Sequence, residues 1–163
     1  MKLTTEFVRE LFDYDQPSGN LIWKAARATT VHAGDIAGCR DSLGYKIVSI
    51  NHNNYKVHRL VWLWHGRELS GWMDHIDGNP SNSRIENLRL ASPYENSYNS
   101  AIARNNSSGV KGVYFNKDSN KYMVRINVSG KRKYLGMWDD LEFAQLVAEE
   151  ARRKYHGEFA RLK

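Results

Sequence analysis

The chain has a single cysteine, Cys39, in 163 residues. That excludes an intrachain disulfide framework and a zinc ribbon built on several cysteines, and it fits a reducing cytoplasm. No stretch approaches the roughly 18 apolar residues of a membrane span, and no signal-peptide pattern opens the chain, so a cytoplasmic protein without membrane contact is expected. No internal repeat is visible, so a solenoid is not expected. Apolar residues are not scarce: they make up 41%, and five Trp with nine Tyr can fill small cores. The composition is globular and its length suits one ordinary domain or two small ones.

Acidic charge is thin where basic charge is dense. The net charge is +6. Residues 1–70 hold nine basic and seven acidic groups, residues 71–106 three and four, and residues 107–163 twelve and seven. Within 111–134 seven basic groups face one acidic group. A basic segment this concentrated favours a polyanion, nucleic acid first, over a merely solvated surface.

Along the chain, Thr4 or Thr5 can cap a helix with Phe7, Val8, Leu11 and Phe12 on one side. Gln16–Asn20 is a turn and Leu21–Trp23 a strand. A hairpin is expected around Lys46–Lys56, turning at His52-Asn53-Asn54, followed by a short buried helix that stops at Gly66. The order then becomes strand (71–76), polar loop (77–86), strand (87–90) and helix, the last started by Ser92, Pro93 and Glu95. Arg104–Gly109 reads as a polar linker. Three strand-like runs follow and then a helix, with Asp139 and Glu142 as its capping box and Gly157 as its end. Leu141, Ala144, Val147, Ala148, Ala151 and Tyr155 form a helix face of mostly small residues, able to lie close on a sheet.

The stretch DHIDGNPSNSRIENLRLASPYEN, Asp74–Asn96, carries the chemistry. Hydrolysing a phosphodiester takes an activated water and relief for charge on phosphate and leaving oxygen. A neutral histidine accepts the water's proton near pH 7. Mg²⁺ needs few protein ligands, all hard oxygens, so one aspartate and one asparagine suffice. His75 is the candidate base, and Asp74 and Asn96 the candidate metal ligands. Asn87 is the candidate brace that fixes where His75 points. Strand alternation would separate Asp74 from His75 unless the strand ends or twists there. The other histidines read as ordinary residues: His58 and His65 as packing, His32 and His52 in loops, His156 at a helix end.

The same stretch resembles the HNH homing-type endonucleases of phages and introns, whose ββα-metal site has this order of Asp-His, loop, Asn-Leu-Arg and Glu-Asn. The resemblance implies His75 as general base, Asp74 and Asn96 as ligands of Mg²⁺ (Mn²⁺ being possible), and Asn87 as structural bracing. Residues 108–162 are similar to an AP2 domain, in which a three-stranded antiparallel sheet packed on one helix enters the DNA major groove. By that resemblance the DNA face would carry Lys111, Tyr114, Asn116, Arg125, Asn127, Arg132 and Tyr134, with Lys121 and Lys133 on phosphates.

The expected fold class is therefore α+β. A nuclease module spans 1–103, with its ββα-metal core at about 71–102 and support from 1–70. A linker follows at 104–109, and an AP2-like domain at 110–163. The expected function is a metal-dependent endonuclease on double-stranded DNA, acting in a bacterial or phage-infected cell as a monomer without an obligate protein partner. The alternative is a non-catalytic DNA-binding regulator on a degenerate nuclease fold. An RNA-binding protein is the third reading, and it lacks the aromatic stacking platform of an RNA module.

Overall fold

The computed structural model describes residues 3–27 and 29–162. Compact units divide between Leu90 and Ala91. The architecture is mixed α and β, with several small sheets.

In the first unit, α1 (Thr5–Leu11) starts where the Thr4 hydroxyl accepts from Phe7 N at 3.2 Å. It buries Val8 and Leu11 and gives way at Phe12 to β1 (Phe12–Asp15), antiparallel to β2 (Asn20–Trp23). Gly19 closes that hairpin at φ 72°, and a Cβ there would lie 2.4 Å from Arg84 N, so only glycine lets the turn meet the 83–84 backbone. Next come β3 (Cys39–Arg40), β4 (Lys46–Ile50) and β5 (Asn53–Lys56), antiparallel in that order. The tight turn between β4 and β5 is Asn51-His52, both at positive φ, one step earlier than the sequence suggests.

The amphipathic helix α2 (Val57–Trp64) fills the centre of the core, with Val57, Leu60 and Val61 fully buried against Phe12, Leu21 and Leu88. Its tryptophans, Trp62 buried and Trp64 half-buried, strand no donor. Trp62 Nε1 donates to Glu68 O at 2.9 Å, and Trp64 Nε1 to Phe12 O at 3.0 Å. Gly66, at φ 73°, follows the helix end. Then β6 (Trp72–His75) pairs with β7 (Leu88–Ala91), and a 3-10 turn, Ile85–Asn87, leads into β7. The 3-10 turn and Leu88 pack with α2, and His58 of α2 meets the His75 ring at the end of β6.

The second unit opens with α3 (Pro93–Tyr98). Its capping box is complete: Glu95 N donates to Ser92 Oγ, and Ser92 N to the Glu95 carboxylate at 2.7 Å. The stretch expected to be a linker, 104–109, is a folded turn. The Asn106 amide donates to the Val110 and Val113 carbonyls, both at 3.1 Å, and Ser108 Oγ donates to Val113 O at 2.7 Å. Asparagine and serine here spend their hydrogen bonds on backbone carbonyls a few residues on.

Strands β8 (Val113–Asn116), β9 (Lys121–Val128) and β10 (Lys131–Trp138) form an antiparallel sheet with β9 in the middle. Helix α4 (Leu141–His156) lies on it, burying Ala144 and Ala148 against Val113 and Val124. These methyl-sized contacts let helix and sheet approach closely. The N-cap is Asp140, whose carboxylate accepts from Phe143 N at 2.7 Å, and not Asp139, which instead pairs with Lys121 at 3.1 Å.

Candidate active site

Strand β6 ends at His75, and both Asp74 and His75 are buried, at 6% and 5% exposure. Their printed partners differ: Asp74 meets Arg89 of β7, and His75 meets the rings of His58 and Tyr45. The loop after them is tied down by Asn87. Its Oδ1 accepts from Asp77 N at 3.0 Å, and its Nδ2 donates to Asp77 Oδ1 at 3.0 Å and to Asn82 O at 2.9 Å. Its carbonyl accepts from Ile76 N at 2.9 Å. One buried asparagine therefore holds the backbone on both sides of the loop, directly after His75. Asp77 also accepts from Asn79 N and Asn82 Nδ2. Burial alone would raise its carboxyl, but these hydrogen bonds outweigh burial and hold it below the usual carboxylate range.

Three neighbours of this pair were not singled out by sequence reasoning. Arg89, on β7, donates from Nε and Nη2 to Asp74 Oδ2 at 2.8 and 2.7 Å. The rings of His58 and Tyr45 pack on the His75 imidazole, with centroids 4.7 and 5.8 Å away, and Lys56 Nζ stands 3.8 Å over Tyr45. His58 is packing, as its place in an apolar helix suggested. What the helical pattern could not show is that it packs on His75. Arg89 had a readable signal: it sits next to buried Leu88 in a two-faced strand, two residues from Asn87.

Burial pushes the His75 ring below its ordinary value; the carboxylates of Asp77 and Asp74 pull the other way and Lys56 adds to the lowering. His75 is thus a neutral imidazole at pH 7, the form that accepts a proton. His58 is lowered to about 3, by burial first and then by His75, Lys56 and Arg59. A folded-state value below the unfolded one means that the unfolded chain binds the extra proton as pH falls. Stability therefore drops as pH falls below about 6.5, by about 1.4 kcal/mol per pH unit for one such histidine. His75 and His156 are lowered too and steepen the slope. Denaturant unfolding between pH 7 and 5 should show this loss, and His58→Leu should flatten it by about that amount per unit. An unchanged slope in His58→Leu would mean that His58 does not stay neutral.

Among the described residues, no group of three or more His, Cys, Asp or Glu side chains stands together as a metal cage. The donors at hand are hard oxygens, which suits a hydrated divalent ion held by few protein ligands. The Arg89 guanidinium on Asp74 Oδ2 competes with any such cation for the carboxylate. Asn96 lies on α3 in the second unit.

The expected DNA-facing residues divide. Arg125 pairs across the sheet with Tyr134, and Asn127 with Arg132, which places the four on one face; Tyr114 joins them, its ring 5.0 Å from the Arg125 guanidinium. Tyr134 is 58% exposed and Tyr114 is also exposed. Others are engaged elsewhere. Lys111 Nζ donates to the Tyr98 and Ser100 carbonyls. Asn116 Oδ1 accepts from Asp118 N and Ser119 N, closing the β8–β9 turn. Lys121 pairs with Asp139. Lys133 is opposite Ile126, on the helix side of the sheet, with Nζ 4.3 Å over Tyr155. Alternation places a residue on a face, but it does not say what its side chain will grip.

The comparisons with known proteins meet this geometry at its centre. Residues 55–98 match the HNH endonuclease family, a span that takes in α2, both strands of the His75 hairpin and α3. Protein 3.8 of Escherichia phage T7 is 39% identical over 92 residues, covering 56% of this chain and 75% of that protein. This chain belongs to the family of that phage protein and carries an HNH endonuclease domain. No solved structure matches. Asp74, His75 and Asn87 all fall inside the matched span, as do Arg89 and His58. HNH nucleases in general use a divalent metal and act on DNA. The match ends at Tyr98 and does not reach the sheet of β8–β10.

Proposed function

We propose that the chain is a metal-dependent DNA endonuclease of the homing type, in which the HNH domain cuts and an AP2-like sheet places the cut. The observation that supports it most is His75, held neutral beside Asp74 on a loop closed by both the amide and the carbonyl of Asn87. In this reading His75 takes the proton of the attacking water. Asn87 keeps the ring aimed by fixing the backbone that follows it. Asp74 is a ligand of the metal, most simply Mg²⁺. When bound, the ion supplies positive charge to the scissile phosphate and the leaving oxygen. DNA must open the approach to a ring that is 5% exposed, so binding and chemistry are coupled.

Arg125, Arg132, Asn127, Tyr114 and Tyr134 present a cationic and aromatic face suited to duplex DNA. A small hairpin site holds little DNA by itself, and a second binding face raises its local concentration at a target. Supercoiled plasmid with the purified chain and Mg²⁺ should go to open-circle or linear form, and EDTA should stop it. DNA retarded on a gel but never broken, with metal present, would discard the enzyme reading.

One observation favours a second reading. Arg89 already neutralises Asp74, as expected of a carboxylate kept for structure in a non-catalytic DNA-binding regulator.

A further inference from the structure

The second unit contains a cleft of about 370 Å³ lined by the 97–106 segment, the sheet and α4. Its charged lining is Lys111, Arg125, Arg132 and Arg152; His156 also lines it, lowered by burial and so neutral at pH 7, and no acidic side chain among the described residues does. Arg152 is 2% exposed. Among the described residues its guanidinium makes one hydrogen bond, from Nη1 to the Lys111 carbonyl; its Nε has no hydrogen-bond partner, and the one carboxylate that acts on it, Glu149, does so without an ion pair and does not outweigh burial. Arg125 Nε is also buried without a hydrogen-bond partner among the described residues. Lys111 Nζ is held by the carbonyls of Tyr98 and Ser100 at 2.6 and 2.5 Å, and burial, then Arg152 and Arg161, push it down to about 8.

Several cations gathered around one cleft, one of them almost wholly buried, are costly without an anion to offset them. Cations with orphaned N–H groups suit a phosphate, which accepts from guanidinium forks. The volume admits more than a bare phosphate. Ile102 and the exposed Tyr114 ring add apolar wall. We infer that this cleft binds the phosphate of a single nucleotide unit, delivered by a DNA strand. The choice of a DNA strand as source rests on the proposed function, whereas the phosphate chemistry does not. The cleft is more than the groove-reading face of the sheet, because Arg152 and His156 come from α4.

The test is calorimetry on the full chain with thymidine 5′-monophosphate, thymidine and inorganic phosphate, followed by competition with a short duplex. The monophosphate should bind, thymidine should not, and Arg152→Gln and Arg125→Gln should each weaken binding at least tenfold. Arg125→Gln keeps the test alive if Arg152→Gln does not fold. Duplex should displace the monophosphate. No binding of either phosphate ligand, with duplex still retarded on a gel, would overturn the inference and leave the DNA-binding reading standing. Inorganic phosphate binding as tightly as the monophosphate would overturn the nucleotide claim. Monophosphate bound but never displaced by duplex would overturn the strand as its source. Monophosphate binding without any duplex binding would do the same, and would also end the DNA-binding reading.

Discussion

If the proposed function holds, His75→Ala should lower plasmid cleavage by about 10²–10⁴-fold, the usual contribution of a positioned general base, while retardation of duplex on a gel stays near that of the wild type. The expectation follows from three features. The ring is neutral at pH 7 because burial outweighs two nearby carboxylates. The loop that follows it is locked by Asn87. The ring is wedged against His58 and Tyr45, which leaves it little freedom. Removing a packed imidazole also leaves a hole, so His75→Gln is the partner variant, of closer size and without a base of matching strength. Both variants should melt within a few degrees of the wild type and both should be inactive. Cleavage at the wild-type rate by either one would remove His75 from the chemistry.

How much of this was legible in the sequence depended on whether the deciding interaction was local. The Ser92–Glu95 capping box and the Gly157 helix end are set within a few residues, and they were read correctly. The three strands after residue 110 were also readable, as apolar runs bounded by turn residues. By contrast, β1 was missed because Phe12 continues the apolar helical spacing of Phe7, Val8 and Leu11. What ends α1 is pairing of Phe12–Asp15 with Asn20–Trp23, a partner the periodicity does not contain. The 104–109 stretch read as a linker on composition, yet Asn106 and Ser108 bond carbonyls across the turn. Asp139 and Asp140 are equally good caps on paper, and Lys121 decides between them by pairing with the first.

The candidate site follows the same rule. Asp74, His75 and Asn87 stood out because unusual residue types cluster at short spacing. Arg89 and His58 did not, since their part depends on which face of β7 and of α2 meets the hairpin. Lys111, Asn116, Lys121 and Lys133 have the charge or polarity of DNA contacts, but carbonyls, turn amides, Asp139 and Tyr155 claim them.

Arg89→Met should destabilise the chain by about 3–5 kcal/mol, because it removes the counter-ion of a buried carboxylate. The pair's side chains are 12% and 7% exposed, with two short contacts to one oxygen, so solvent screens little of it. Adding Asp74→Asn to Arg89→Met should return a large part of the loss, since the buried charge is then gone. The same variant separates the two functional readings. If Asp74 is a metal ligand, Mg²⁺ should stabilise Arg89→Met more than the wild type, where the guanidinium competes. A concentration ten times the dissociation constant is worth about 1.4 kcal/mol, a shift of a few degrees in Tm. The gain should vanish in the double variant. Urea unfolding of the three proteins with Mg²⁺ and with EDTA reads all of this at once. A loss below about 1 kcal/mol in Arg89→Met would mean that the ion pair does not hold the hairpin. A normal loss with no response to Mg²⁺ would take Asp74 out of the metal site and move the weight to the regulator reading.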